Sequence, residues 1–238
     1  MYNVINILSV AAHPDDTEIL CAGTLIRYAQ EGHRVIIAVF TNGSMGDRVI
    51  KPEEMGTIRK KEAQAAADLI GAKLIWPAVA DEHVFPNQKQ RAIMVDILRE
   101  ADPDVIFTHS PNDYHPDHRY VSQLVFDAYS QKGLPFIPHQ SVPPCRIDNA
   151  QIYYMDNICG IRFQPSEYVD ITAVFEIKKK MLLCHKSQFI DMQQANTDLL
   201  ELVETQSKFR GLGAGCKYAE GFNRLEAYQR GLTRRVLP

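Results

Sequence analysis

Residues 12–18 read Ala-His-Pro-Asp-Asp-Thr-Glu (AHPDDTE), directly after the apolar run Val4 to Ala12. A second motif, His-Pro-Asp-His (HPDH) at 115–118, follows shortly after another such run, Asp104 to His109. A run of apolar residues with no alternation reads as a strand buried on both faces. In an open parallel sheet the ligand crevice lies beyond the carboxyl ends of the strands, where loops far apart in sequence converge. Two histidine motifs at two strand ends therefore predict one site, supplied with the imidazoles and carboxylates that a divalent metal and a general base need.

Working outward, short β-branched runs alternate with stretches of helical period, the pattern of parallel strands joined by crossover helices. Strands are predicted at Val4 to Ala12, Arg34 to Thr41, Lys73 to Pro77 and Asp104 to His109, with Gln151 to Met155 and Glu167 to Asp170 as later additions. Ile19, Ala22, Ile26 and Ala29 mark one helix, closed by Glu31-Gly32; Ile93, Ile97 and Ala101 mark another, stopping at Asp102-Pro103. Val121, Leu124, Val125 and Ala128 follow HPDH, and Val174, Ile177, Met181 and Cys184 define a late helix. The Pro-rich stretch Gly133 to Asn149 reads as an irregular loop that could wall or cover the site, and Gly211 to Gly215 as another loop. The expectation is an α/β layered fold with a mostly parallel central sheet, in one domain spanning 1–238 because no linker interrupts the chain.

Composition excludes several classes of function. The formal charge is −3 without a dense basic stripe, so neither a nucleic acid nor an anionic membrane is indicated as partner. No apolar stretch is long enough to span a bilayer, and the N-terminus lacks the basic segment and cleavage site of a signal peptide, so the expected location is cytoplasmic. Five scattered cysteines without a CxxC pair argue against both a disulfide framework and a thiolate zinc site. A metal here would use imidazole and carboxylate.

A catalytic zinc takes three protein ligands and keeps one position for water. His13, Asp16 and His118 form such a set, which leaves Asp15 free as general base toward a water whose pKa the metal lowers toward ~7. His115 is placed to stabilise the oxyanion of a tetrahedral intermediate, and Asp117 to orient and charge that imidazole. Plainer readings exist for each motif. An aspartate before Thr17 and Glu18 can cap a helix, and HPDH can be a Pro-initiated helix capped by Asp113. Neither accounts for two such motifs at strand ends of one chain. His109 is expected to pack at its strand end and bond to backbone, and His185 either to bound the cleft or to cap its helix.

At these residues the chain resembles the PIG-L/LmbE-like metal-dependent deacetylases, which remove acetyl groups from N-acetylglucosamine units of larger conjugates. AHPDDTE is similar to the family's AHPDDE signature with Thr17 at a variable position, and HPDH matches the second signature. Ala22-Gly-Thr-Leu25, Glu31-Gly-His33, Arg59 with Glu62, Phe107-Thr-His109 and His185-Lys-Ser-Gln188 extend the resemblance over most of the chain. The resemblance implies a Rossmann-like (LmbE-like) three-layer fold, with His13, Asp16 and His118 as zinc ligands, Asp15 as base, and His115 supported by Asp117. It further implies that Arg59, Asp81 and Tyr114 bind substrate, and that the protein forms trimers or hexamers.

The reading is a zinc hydrolase that cleaves the N-acetyl amide of an amino sugar or sugar conjugate; the ligand set also suits Fe2+ or another divalent metal. The partner implied is a small-molecule sugar or glycoconjugate. One alternative is a metal-dependent hydratase of an unsaturated carboxylic acid, since the same metal and base can add water to an activated double bond. A non-enzymatic binding module is the other, disfavoured because no GxGxxG or phosphate-binding loop follows the first strand.

Overall fold

A computed structural model of the chain describes residues 4–46, 49–137, 140–146, 150–194 and 196–226. The elements run β1 (Asn6–Ala11), α1 (Asp16–Leu20), α2 (Ala22–Gln30), β2 (Arg34–Val39), α3 (Pro52–Asp68), β3 (Lys73–Ile75), α4 (Gln88–Ala101) and β4 (Val105–Thr108). They continue as α5 (Pro116–Tyr129), β5 (Gln151–Met155), β6 (Glu167–Asp170), α6 (Phe175–Leu182), α7 (Lys186–Gln194), α8 (Leu199–Ala214) and β7 (Ala219–Arg224).

The strands form one sheet in the order β3-β2-β1-β4-β5-β7-β6. The first five are parallel neighbours, while β7 runs antiparallel to both β5 and β6. This is the doubly wound, Rossmann-like arrangement expected from the sequence. Both faces of the parallel strands are covered, which is why their sequences are apolar throughout. Ile7, Val35, Ile37, Val105 and Phe107 pack on the α2 and α6 side. Leu8, Val10, Ile36, Ala38 and Ile106 pack on the α4 and α5 side. The chain leaves β1 toward β2 on one flank and β4 lies on the other, so the gap between the ends of β1 and β4 is the topological switch point of the sheet.

The six predicted strands are present, trimmed at their ends, and the differences elsewhere have physical causes. The helix predicted through Ile19 to Ala29 is broken at Cys21, whose φ of −144° is not helical. The break exposes the first amides of α2 to a buried carboxylate: Glu220 of β7 accepts from the N–H of Gly23 and of Thr24, both at 2.8 Å, and from the Thr24 hydroxyl at 2.6 Å. Gly23 permits that approach, since a Cβ there would lie 2.6 Å from Ile171. Lys178 of α6 completes the network by donating to Glu220 at 2.6 Å and to the Ile19 carbonyl at 2.8 Å.

Gly211 to Gly215, expected as a loop, instead forms the last turn of α8, ended by Gly215 at φ 73°. Gly211 fits there because the chain returns across it, placing the Cys216 and Lys217 carbonyls 2.7 Å from where a Cβ would stand. The Gly133 to Asn149 segment is irregular as expected, but it lies at the opposite end of the sheet from the switch point. Arg99 donates to the carbonyls of Lys132, Leu134 and Val142, and Arg146 pairs with Asp102 and Asp104 at the amino end of β4. Its described residues neither wall nor cover the site; residues 138–139 and 147–149 lie outside the described residues. All five cysteines are free thiols. Among the described residues no helix is long and apolar enough to cross a membrane.

Removal of the Glu220 carboxylate leaves the Lys178 ammonium buried without a partner. Glu220→Ala is therefore expected to lower stability by about 3–5 kcal/mol. Urea unfolding checks this, and a loss below about 1 kcal/mol would show that the cap at the start of α2 is not a support of the fold.

Candidate active site

The two motifs meet at the switch point. His13 Nδ1 lies 3.2 Å from His118 Nε2, although 105 residues separate them. Asp16 closes a triangle, with Oδ2 3.4 Å from His13 Nδ1 and Oδ1 3.4 Å from His118 Nε2. Donors about 2.0–2.2 Å from a tetrahedral zinc lie about 3.3–3.6 Å from one another, the spacing of these contacts, with Asp16 turning a different oxygen to each ring; among the described residues the groups whose ligand atoms lie within 4.8 Å of one another are His13 with His115 and His118, Asp16 with His109 and His118, and His13 with Asp81 and Asp117. The fit also holds for charge. Asp15, Asp16, Asp81, Asp113 and Asp117 are each at most 6 % exposed around this point. So many buried carboxylates require positive charge beside them.

Protons on the imidazoles would meet that requirement where no ion does. Burial opposes it, but the Asp16 and Asp113 carboxylates raise His118 to about 9, and Asp117, Asp16 and Asp81 lift His13 well above its ordinary value. Burial would likewise raise the Asp16 carboxyl, yet the adjacent His118 and His109 rings hold it well below the usual carboxylate range. Protons on two histidines and a divalent cation between them are alternative ways of balancing the same carboxylates.

Each side chain is held by the local fold. Asp15 sits in the turn between β1 and α1 with φ 110°, a conformation that a residue with a Cβ rarely adopts. Its carboxylate stands apart from the triangle, facing the Arg59 guanidinium at 3.6 Å. Burial raises Asp15 to about 6 despite that positive charge, which brings its pKa toward the range suited to proton transfer near neutrality. His118 is oriented from behind by Asp113, whose Oδ2 lies 3.1 Å from Nδ1. His109 packs flat on His118, ring centroids 3.9 Å apart, and its Nε2 accepts the Ala12 backbone N–H at 3.0 Å. His109 is thus the strand-end histidine bonded to backbone that its position suggested.

His115 caps α5: its Nδ1 accepts from the Asp117 N–H at 3.2 Å. In the neutral ring that leaves the proton on Nε2, which can donate. The Asp117 carboxylate does not orient His115 as predicted. It accepts from the Glu82 N–H at 3.1 Å and lies 3.4 Å from His13 Nε2, because the cap turns the His115 ring away from it. Asp81, predicted to hold substrate, also faces His13 Nε2, at 3.3 Å, and accepts from the Met45 N–H. Arg59 is buried rather than solvated. It donates to the Pro14 carbonyl at 2.6 Å, the Gly43 carbonyl at 3.3 Å and the Gln188 side chain at 2.7 Å, so it ties together the loops after β1 and β2 and the start of α7. Tyr114 is 55 % exposed beside His115 and His118. His185 neither bounds the cleft nor caps its helix; it is fully buried, with Nε2 3.2 Å from Glu18.

A cavity of about 350 Å³ opens over this cluster, lined by His13, Asp15, Asp16, Arg59, Asp81, Tyr114, His115 and His118 on one side. The far wall is largely apolar: Ile158, Met192, Leu199 and Leu202. Sequence reasoning missed Asp113 as the partner of His118, Glu82 at 3.5 Å from His115 Nε2, and the apolar wall from α7 and α8. Asp113 was visible only as a helix cap, and nothing in sequence spacing connects residues 158–202 to the two motifs.

Fold and site together define a doubly wound α/β protein with an imidazole and carboxylate cluster at the switch point of its sheet. The pattern of the PIG-L family, described as GlcNAc-PI de-N-acetylase, matches residues 8–129, and the chain belongs to that family. It is 29 % identical over 233 residues to a diacetylchitobiose deacetylase of Thermococcus kodakarensis, covering 92 % of this chain and 82 % of that one. The solved N,N'-diacetylchitobiose deacetylase of Pyrococcus horikoshii superposes with a TM-score of 0.79 at 28 % identity, covering 92 % of this chain and 83 % of that one. A 4-carboxy-2-hydroxymuconate hydratase from Pseudomonas putida shares the fold, with a TM-score of 0.78 at 19 % identity over 96 % of this chain and all of the other.

Lysine keeps the charge of Arg59 but has no planar fork and cannot reach three acceptors at once. Arg59→Lys is expected to lower stability by about 2–4 kcal/mol, given hydrogen bonds from a charged donor. Thermal or urea unfolding measures it; an unchanged midpoint would mean that the loops hold their places without this residue.

Proposed function

We propose that the protein is a zinc-dependent amidohydrolase that removes the N-acetyl group from an amino sugar or N-acetylglucosamine-containing conjugate. The observation that carries this reading is the triangle of His13, Asp16 and His118, with the unligated Asp15 carboxylate beside it. PIG-L family membership and the similarity to deacetylases of diacetylchitobiose support the amide as the bond cleaved. His13, Asp16 and His118 would hold the ion, which when bound supplies Lewis-acid activation of water and of the amide carbonyl.

The protein's own groups do the rest. Asp15, buried and raised toward neutrality, takes the proton of the attacking water. His115 donates from Nε2 to the oxygen that becomes negative as the carbon turns tetrahedral. Asp15 then passes the proton it took from the water to the leaving amine and returns to its ionised state. Tyr114, with its exposed ring, is the residue of the predicted substrate set best placed to touch a sugar. Asp81 and the Arg59 Nη atoms contribute cavity walls already hydrogen-bonded to the protein.

Asp15→Asn is expected to lower acetate release from an N-acetylglucosaminide by about a thousandfold or more while metal content, read by elemental analysis, stays at wild-type level. His13→Ala is expected to lose the metal as well as the activity. A fully active, metal-loaded Asp15→Asn protein would remove Asp15 as the base. A chelator should abolish acetate release and added Zn2+ restore it. Loss of an unsaturated dicarboxylate, followed by absorbance without acetate release from any acylated amino sugar, would establish the hydratase alternative instead.

A further inference from the structure

We propose, resting on the deacetylase reading above, that the cavity continues into an aglycone subsite. Its occupant is an uncharged group with an apolar face, rather than one bearing phosphate or carboxylate. Leu202 of α8 lines the cavity over the metal cluster and also lines a second groove of about 420 Å³. The turn at Ile158 and Cys159 is likewise shared, Ile158 facing the cavity and Cys159 the groove. The groove extends along α8 by Thr205 and Gln206 to Phe209, whose ring is 60 % exposed. The cavity and the groove meet at Leu202, so a ligand held by its acetamide over His13 and His118 would pass that side chain toward the Phe209 ring.

The chemistry of the groove limits what can lie there. Gln206 is spent on the protein: its Oε1 accepts the Cys159 N–H at 2.9 Å and its Nε2 donates to the Asn157 carbonyl at 2.9 Å. Among the described residues no lysine or arginine lines the groove, and its charged residues are Asp198 and Glu201. The nearby Arg210 is buried and engages both oxygens of Asp156. An anionic aglycone would therefore meet two carboxylates and no available cation, whereas an alkyl or aryl group would cover Leu202 and Phe209 and displace water from them.

The test compares methyl and hexyl glycosides of N-acetylglucosamine, with N-acetylglucosamine 1-phosphate as the charged arm, on the metal-loaded wild-type protein. The expected result is a kcat/KM about tenfold or more higher for hexyl than for methyl, carried by KM, with the phosphate below the methyl compound. Phe209→Ala should reduce the hexyl-to-methyl ratio severalfold. Affinities of the methyl and hexyl glucosaminide products, measured by calorimetry, give a second readout that needs no turnover. Deacetylation with a hexyl-to-methyl ratio near one, and equal product affinities, overturns the subsite and leaves the deacetylase intact. Failure of every glycoside to react or bind overturns both. If Phe209→Glu changes the molecular mass in light scattering and leaves the ratio untouched, a second copy of the chain covers the groove and the subsite is overturned.

Discussion

Five buried aspartate carboxylates gathered beyond the ends of β1, β3 and β4 are the constraint around which the molecule is arranged. Charges of one sign are not buried together unless something of the other sign accompanies them. Among the described residues lining the cavity, Arg59 is the one cationic side chain other than histidine. The rest of the positive charge comes from His13 and His118, either as protons or as the ion these rings can hold in place of protons. Binding of a metal would thus relieve a burden that the fold already imposes, and metal affinity and stability of the loops are coupled through the same carboxylates.

Arg59 carries a second burden. Its fork joins the Pro14 carbonyl, the Gly43 carbonyl and Gln188, and it faces Asp15. Asp15 is held at φ 110°, and strain of that kind persists only where the surroundings over-determine the backbone. Arg59 on one side and the Ile19 N–H, which donates to the Asp15 carbonyl at 2.9 Å, on the other supply that determination. Behind them, Ser187 of α7 bonds to Glu62 of α3, so the late helices lock onto the helix that carries Arg59.

The central strands were legible because burial on both faces leaves uninterrupted β-branched runs such as Val35 to Val39. The site motifs were legible because strand ends in this topology converge, so Ala12 to Glu18 and His115 to His118 needed no contact information to be paired. What escaped the sequence depends on tertiary partners. β7 reads Ala-Glu-Gly-Phe-Asn-Arg, with no apolar run, since its central Glu220 is buried for the sake of the α2 amides and Lys178. The Asp117 carboxylate was assigned to the wrong imidazole for a similar reason. Sequence proximity favoured His115, whereas the cap geometry of α5 turns that ring aside and leaves His13 as the neighbour.

The electrostatics of the cavity also bear on which bond the site can receive. An unsaturated dicarboxylate would bring two further negative charges into a cavity already lined by Asp15, Asp16, Asp81 and Glu82, and the Nη atoms of Arg59 are committed to Pro14, Gly43 and Gln188. A divalent ion can neutralise one such ligand group, but the second would be left facing Asp81, Glu82 or the apolar wall of Ile158 and Leu202. A neutral acetamide avoids that cost. It develops negative charge at one oxygen only, and only as the carbon becomes tetrahedral, where an ion held by His13, Asp16 and His118 and the His115 Nε2–H would offset it. The same distribution of charge that makes the pocket hostile to anions in the ground state therefore favours amide hydrolysis over hydration of an acid.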